Sequence, residues 1–186
     1  MPCNVEIKAR LLDRASVEAR AAALSDAGPQ VIPQEDYFFT SVDARLKLRV
    51  LSPEAGELIR YQRSNQTGAR RSNYSIARTS DPLVLRDILT SSLGSAGIVR
   101  KMRTLYTIGQ TRVHLDEVEG LGDYLELEVV LGPEQDEAEG MRIAEALLDN
   151  FGITKDQLVG EAYVDLLFRR VPPPQRHVTN QIDQSK

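Results

Sequence analysis

Polar and apolar positions alternate strictly across residues 4–11. Asn4, Glu6, Lys8 and Arg10 share one face, and Val5, Ile7, Ala9 and Leu11 share the other. That two-residue period predicts a β-strand. It returns at residues 45–51, 111–117 and 123–131. Further strands are predicted over residues 34–40 (with Tyr37, Phe38 and Phe39), 57–63 after Gly56, 72–78, and 97–108. The period becomes helical over residues 14–27, where Asp13 can cap, Val17, Ala21 and Leu24 form a stripe, and Gly28-Pro29 ends the run. Asp81-Pro82 starts a second helix, with Leu85, Ile88 and Leu89 as its buried face and Gly94 as its stop. A third is predicted over residues 134–150, with Met141, Ala144, Leu148 and Phe151 on one side. Thr154 caps a fourth, running to about Phe168. Gly109-Gln110 suits a two-residue hairpin turn.

These elements predict an α+β fold. Eight strands are enough to close an antiparallel barrel, with amphipathic helices packed outside and the charged strand faces lining the lumen. One domain is expected over residues 1–170, and residues 171–186, opening on Val171 and three prolines, read as a disordered polar tail.

The charged faces carry more information than a solvated surface would. Arg45, Lys47 and Arg49 stand opposite Leu46, Leu48 and Val50, while Glu126 and Glu128 stand opposite Leu125, Leu127 and Val129. Arg112, His114 and Asp116 form another row, and Lys101 and Arg103 share a face. Rows sorted into all-basic and all-acidic are unusual for solvated strands. Three like charges at every second residue also repel unless something anionic offsets them. The basic rows sit on early and middle strands, and the carboxylates gather at Glu6 and the last two strands. A phosphate-clamping wall facing a metal-holding wall is the chemistry that division suits.

Charge and cysteine content narrow the partners. The net charge is −4, which disfavours a general nucleic-acid coat. Cys3 is the single cysteine, so no intrachain disulfide framework is possible, and a reducing, cytoplasmic setting is expected. No apolar run approaches membrane-spanning length and no signal-peptide core is seen, so no membrane partner is expected. A homodimer is left open.

The same residues carry a resemblance to the CYTH-domain, or triphosphate tunnel metalloenzyme, family, in its branch of class IV adenylyl-cyclase-like proteins. The motifs are Asn4-Val5-Glu6-Ile7-Lys8, Arg45 to Arg49, Lys101-Met102-Arg103, His114 to Gly122, Glu126-Leu127-Glu128, and Ala162 to Leu167. The resemblance implies an eight-stranded tunnel that binds a triphosphate with Mg²⁺ or Mn²⁺. It implies phosphate contacts from Lys8, Lys47, Arg49, Arg103 and Arg112, to which Arg45 and Lys101 are added from the basic rows. Arg63, or Arg60 if the parity of its strand is the other, is a further phosphate candidate. Glu6, Glu126 and Glu128 match metal-binding carboxylates, and Asp116 matches an acidic position near the metal. Glu6, Lys8 and Asp116 are the catalytic candidates. The sequence departs from the family pattern at Asn4, where a Glu is expected; Asn keeps an oxygen donor and loses a charge.

Three activities follow as expectations: a metal-dependent triphosphate hydrolase, an adenylyl cyclase releasing pyrophosphate, and a polyphosphate- or nucleotide-binding protein with little turnover. With no second histidine beside it, His114 reads as a hydrogen-bonder in the lumen. Tyr163 reads as a residue that docks the last helix onto the sheet.

Overall fold

The computed structural model describes residues 3–170 apart from 43 and 63–69. Arg63 and the predicted tail therefore lie outside the described residues. In chain order the elements are β1 (Cys3–Arg10), α1 (Arg14–Leu24), β2 (Ala27–Phe39), β3 (Arg45–Ser52), β4 (Ala55–Gln62) and β5 (Arg70–Thr79). There follow α2 (Pro82–Leu93), β6 (Ser95–Ile108), β7 (Thr111–Val118), β8 (Gly122–Val130), α3 (Glu137–Phe151), a 3₁₀ turn (Lys155–Gln157) and α4 (Tyr163–Arg170). The chain is α+β, with eight antiparallel strands in one strongly curled sheet and four α-helices among the described residues.

Hydrogen bonding orders the strands β1-β5-β4-β3-β2-β6-β7-β8, with β8 pairing back to β1. The two sides of β1 differ. It pairs with β8 from Asn4 to Arg10, but its ladder to β5 runs only from Cys3 to Glu6 among the described residues.

The apolar faces point outward, as the alternation predicts. Val5, Ile7, Ala9, Val113, Leu115, Leu125, Leu127 and Val129 pack under Val17 and Ala21 of α1 and Ala144, Leu147, Leu148 and Phe151 of α3. At Gly140 a Cβ would come within 2.7 Å of Val5 and of Leu131, so α3 lies closer to the sheet there than an alanine would allow. A second cluster joins Phe38, Val99, Val118, Leu121 and Tyr124 to Ala162, Tyr163, Val164 and Leu166 from α4 and its approach. Among the described residues no helix is long and apolar enough to cross a membrane.

Three elements differ from the sequence expectation. Strand β2 begins at Ala27 rather than 34, because the 14-residue β6 templates it along its whole length. Its prolines, Pro29 and Pro33, fall before Glu35, where pairing to β3 starts, so neither lies where β2 is paired on both sides. The segment after Thr154 is not one helix. It makes a single 3₁₀ turn, then Leu158 bridges to Ala9 and the Val159 amide donates to the Lys8 carbonyl, and α4 starts only at Tyr163. Gly160 helps end the helical pattern there. On α2 the predicted buried face is only half covered: Leu85 and Leu89 are half-buried and Ile88 is 54% exposed.

Candidate triphosphate and metal site

The inward faces of the curled sheet surround a cavity of about 390 Å³. Six of the predicted phosphate residues line it: Lys8, Lys47, Arg49, Lys101, Arg103 and Arg112. Glu6, Glu126 and Glu128 line it too, as does Asn4. Strand register explains how separate stretches of chain meet. Glu6 stands across from Glu128, which stands across from Arg112. The next row inward is Lys8, Glu126 and His114. The next joins Arg103 to Asp116. Strand β3, carrying Lys47 and Arg49, is four places from β8 in the strand order, so these two stand apart from Glu126 and Glu128. The expected division into a basic and an acidic wall does not hold beyond them: Lys8, Arg103 and Arg112 stand among the carboxylates, because β1 and β7 lie beside β8 and β6 lies next to β7. Between β3 and β1, strands β4 and β5 contribute Ile59, Tyr61, Tyr74 and Ile76, an apolar and aromatic stretch of wall.

Each of these six cations has a carboxylate within ion-pair distance. Asp36 lies between Lys47 and Arg49, accepting from Lys47 Nζ at 2.7 Å and from Arg49 Nε at 2.8 Å. The repulsion along β3 is thus offset in part by the protein itself. Asp36 lies in a stretch dominated by aromatics and gave no signal of its own in the sequence. Burial alone would raise its carboxyl, yet Lys47 and Arg49 outweigh that and hold it far below the carboxylate range. Burial is also the largest influence on Lys47. Arg49 adds to it against the attraction of Asp36, and the ammonium is lowered to about 8.

Asp116, 0% exposed, is enclosed by donors. Lys101 Nζ reaches it at 2.8 Å, Arg103 donates two bonds of 2.7 Å, and the Tyr163 hydroxyl donates one of 3.0 Å. Burial would raise its carboxyl, but Arg103 and Lys101 keep it below its ordinary value. Arg103 also donates to Glu126 at 2.7 Å. Burial opposes ionisation of Glu126, while Lys8, Arg103 and Lys101 hold it well below its usual range. Arg112 pairs with Glu128 at 2.9 Å.

The approach to α4 lies against the site. Tyr163 lines the cavity and packs under Lys8, whose Nζ is 3.9 Å from the ring centroid. Burial and then Asp116 raise the phenol well above its ordinary value, so it stays a donor. Tyr163 both docks the helix and touches the site. Arg45 is drawn away from the cavity lining: its guanidinium makes two bonds to Asp165 of α4, at 3.1 and 2.6 Å. Glu57, Ile59 and Tyr61 line the cavity, so Arg60 takes the other face of β4, where it is exposed. Arg78, on β5 across from Glu57, lines the cavity as well, a basic residue outside the charged rows that the sequence pattern marks. Phe38 faces inward while Tyr37 meets Arg86 of α2. A shallower surface groove of about 1050 Å³ shares only Lys101 with these residues and holds no comparable cluster.

Donor atoms of His114, Glu126 and Glu128 all lie within 4.8 Å of one another, a spacing that could hold a metal ion.

A CYTH-domain family model matches residues 3–163. The chain belongs to the CYTH family. MJ0240 of Methanocaldococcus jannaschii, which bears a provisional name as an adenylate cyclase, is 24% identical over 171 residues, covering 88% of this chain and 97% of that protein. The PH1012 protein of Pyrococcus horikoshii OT3 superposes with a TM-score of 0.78 at 18% identity, covering 88% of this chain and 98% of the other. HpAC1 from Hippeastrum, provisionally an adenylyl cyclase and described as having a dominant triphosphatase activity, superposes with a TM-score of 0.64 at 18% identity, covering 94% and 100%. At such identities the solved structures establish the fold.

Proposed function

We propose that this CYTH protein is a metal-dependent triphosphatase whose curled sheet works as a closed tunnel. The observation that carries the reading is one cavity lined by six basic side chains together with Glu6, Glu126 and Glu128. Phosphoryl transfer demands positioning and charge neutralisation more than covalent chemistry. Lys47 and Arg49 on one side, and Lys8, Lys101, Arg103 and Arg112 on the other, take the phosphate oxygens. Each cation already faces an anion, so phosphate oxygens exchange with carboxylates rather than meeting bare buried charge. Glu6, Glu126 and Glu128 would hold Mg²⁺ or Mn²⁺. The ion supplies neutralisation of phosphoryl oxygens and a water of lowered pKa. Asp116 acts as a positioning residue, fixing Lys101, Arg103 and the Tyr163 hydroxyl. Lys8, held over Tyr163 and beside Glu126, steadies charge on the phosphoryl group being transferred.

The family and the triphosphatase activity described for HpAC1 support hydrolysis. A cyclase reading is favoured by the apolar wall of Ile59, Tyr61, Tyr74 and Ile76, which suits a nucleoside beside the phosphates, and by the provisional name of MJ0240. Products separate the two. With Mg²⁺ or Mn²⁺ and ATP or tripolyphosphate, the hydrolase releases orthophosphate, and a cyclase would release pyrophosphate and cyclic AMP. Binding without product would sink both, and no binding would sink the tunnel reading.

A further inference from the structure

His114 is an inward residue for which the hydrolase reading has no use. It stands on β7 across from Glu126. Its side chain is 4% exposed. The expected hydrogen bond is not made at Nδ1, which is buried and has no partner. Glu128 Oε1 faces it at 3.8 Å, beyond hydrogen-bond reach. Leaving such a nitrogen unpaired in the interior is costly, which calls for a partner.

The two carboxylates are arranged to share one. Glu126 gives Oε2 to Arg103 and Glu128 gives Oε2 to Arg112. Their Oε1 atoms are left toward Lys8, at 4.0 Å, and toward His114. Two donors bonded to one cation at about 2.1 Å each are at most about 4.2 Å apart. The set here, within 4.8 Å, needs only side-chain adjustment to close. Asn4, which is buried and lines the same cavity, adds no carboxylate, so beyond Glu6, Glu126 and Glu128 the further donor beside these carboxylates is the His114 nitrogen.

We propose that His114 is a nitrogen ligand to the divalent cation, completing with Glu126 and Glu128 a mixed set that selects a transition metal over Mg²⁺. The inference rests on the metal-dependent reading of the site. Mg²⁺ takes oxygen donors and keeps its waters, whereas imidazole suits later first-row ions.

The full chain is titrated with Mg²⁺ and Co²⁺ by calorimetry, and the Mn²⁺-loaded protein is examined by pulsed EPR for nitrogen coupling. Co²⁺ is expected to bind at least about tenfold more tightly than Mg²⁺. The Mn²⁺ spectrum is expected to carry coupling to one ¹⁴N. His114→Gln is expected to abolish that coupling and weaken Co²⁺ at least about tenfold, moving Mg²⁺ less than about twofold. Mn²⁺ bound without nitrogen coupling in the unaltered protein overturns the inference, leaves the metal-dependent reading standing, and depends on no variant folding. Coupling that survives in His114→Gln also overturns it. If none of the three ions binds, the metal-dependent reading falls and the inference falls with it.

Discussion

Arg103 holds Asp116 in a two-pronged ion pair, Nε to Oδ1 and Nη2 to Oδ2, both 2.7 Å, with the same Nη2 reaching Glu126 at 2.7 Å. One guanidinium thus joins the phosphate-binding wall to the candidate metal carboxylates. Its planar fork suits that bridge, and the single ammonium of a lysine would not.

Removing Asp116 leaves Lys101 and Arg103 buried without their main anion. Asp116→Ala is expected to cost about 3–5 kcal/mol in urea unfolding, and Asp116→Asn less. A loss below about 1 kcal/mol would mean that water or another carboxylate replaces it.

Lys47 makes phosphate binding sensitive to pH. Burial, Arg49 and Lys101 lower it to about 8 against the pull of Asp36, so it carries charge only below that value. Tripolyphosphate affinity should decline as pH rises through about 8, and Lys47→Arg should flatten the profile. Stability moves the other way. Between about 8 and the ordinary value of 10.5 the unfolded chain binds more protons than the folded one, so the contribution from Lys47 grows with pH across that window. Equal pH slopes for the two proteins would remove Lys47 as the cause.

Glu126→Gln keeps the shape of the side chain and removes its charge. Metal affinity measured by calorimetry should fall at least about tenfold, and turnover should fall with it. Unchanged affinity would place the ion elsewhere.

Gly97 lets α4 approach β6. Its φ is +128°, and a Cβ there would lie 2.9 Å from Val164 Cγ2. Gly97→Ala should lower stability by about 1–3 kcal/mol. Gly109→Ala, where φ is +54° and nothing lies within 4 Å, should cost only about 1 kcal/mol. The reverse order in thermal melts would argue against tight docking of α4.

Much of the site was legible because a strand sorts its side chains by parity alone. Once residues 4–11, 45–51 and 123–131 read as strands, Lys8, Lys47, Arg49, Glu126 and Glu128 had to share faces, and the curled sheet turns those faces inward. Asp36 carries no such mark in the sequence, because its importance depends on β3 lying beside β2. Parity alone groups Arg45 with Lys47 among the phosphate residues. Its attachment to Asp165 depends on where α4 lands, 120 residues later in the chain.

The sequence by itself determined which residues face together, where most strands and helices lie, and that the inner faces would carry opposed charge. Those are local properties, set by a two-residue period and by capping and turn residues. Tertiary structure alone decided which charges meet: Asp36 between Lys47 and Arg49, Asp116 between Lys101 and Arg103, Asp165 on Arg45, and His114 buried beside two carboxylates with its Nδ1 unpaired. Pairing between strands and the docking of α4 fix those distances, and a charge is neutralised by whatever lies within a few ångströms, however far away it is along the chain.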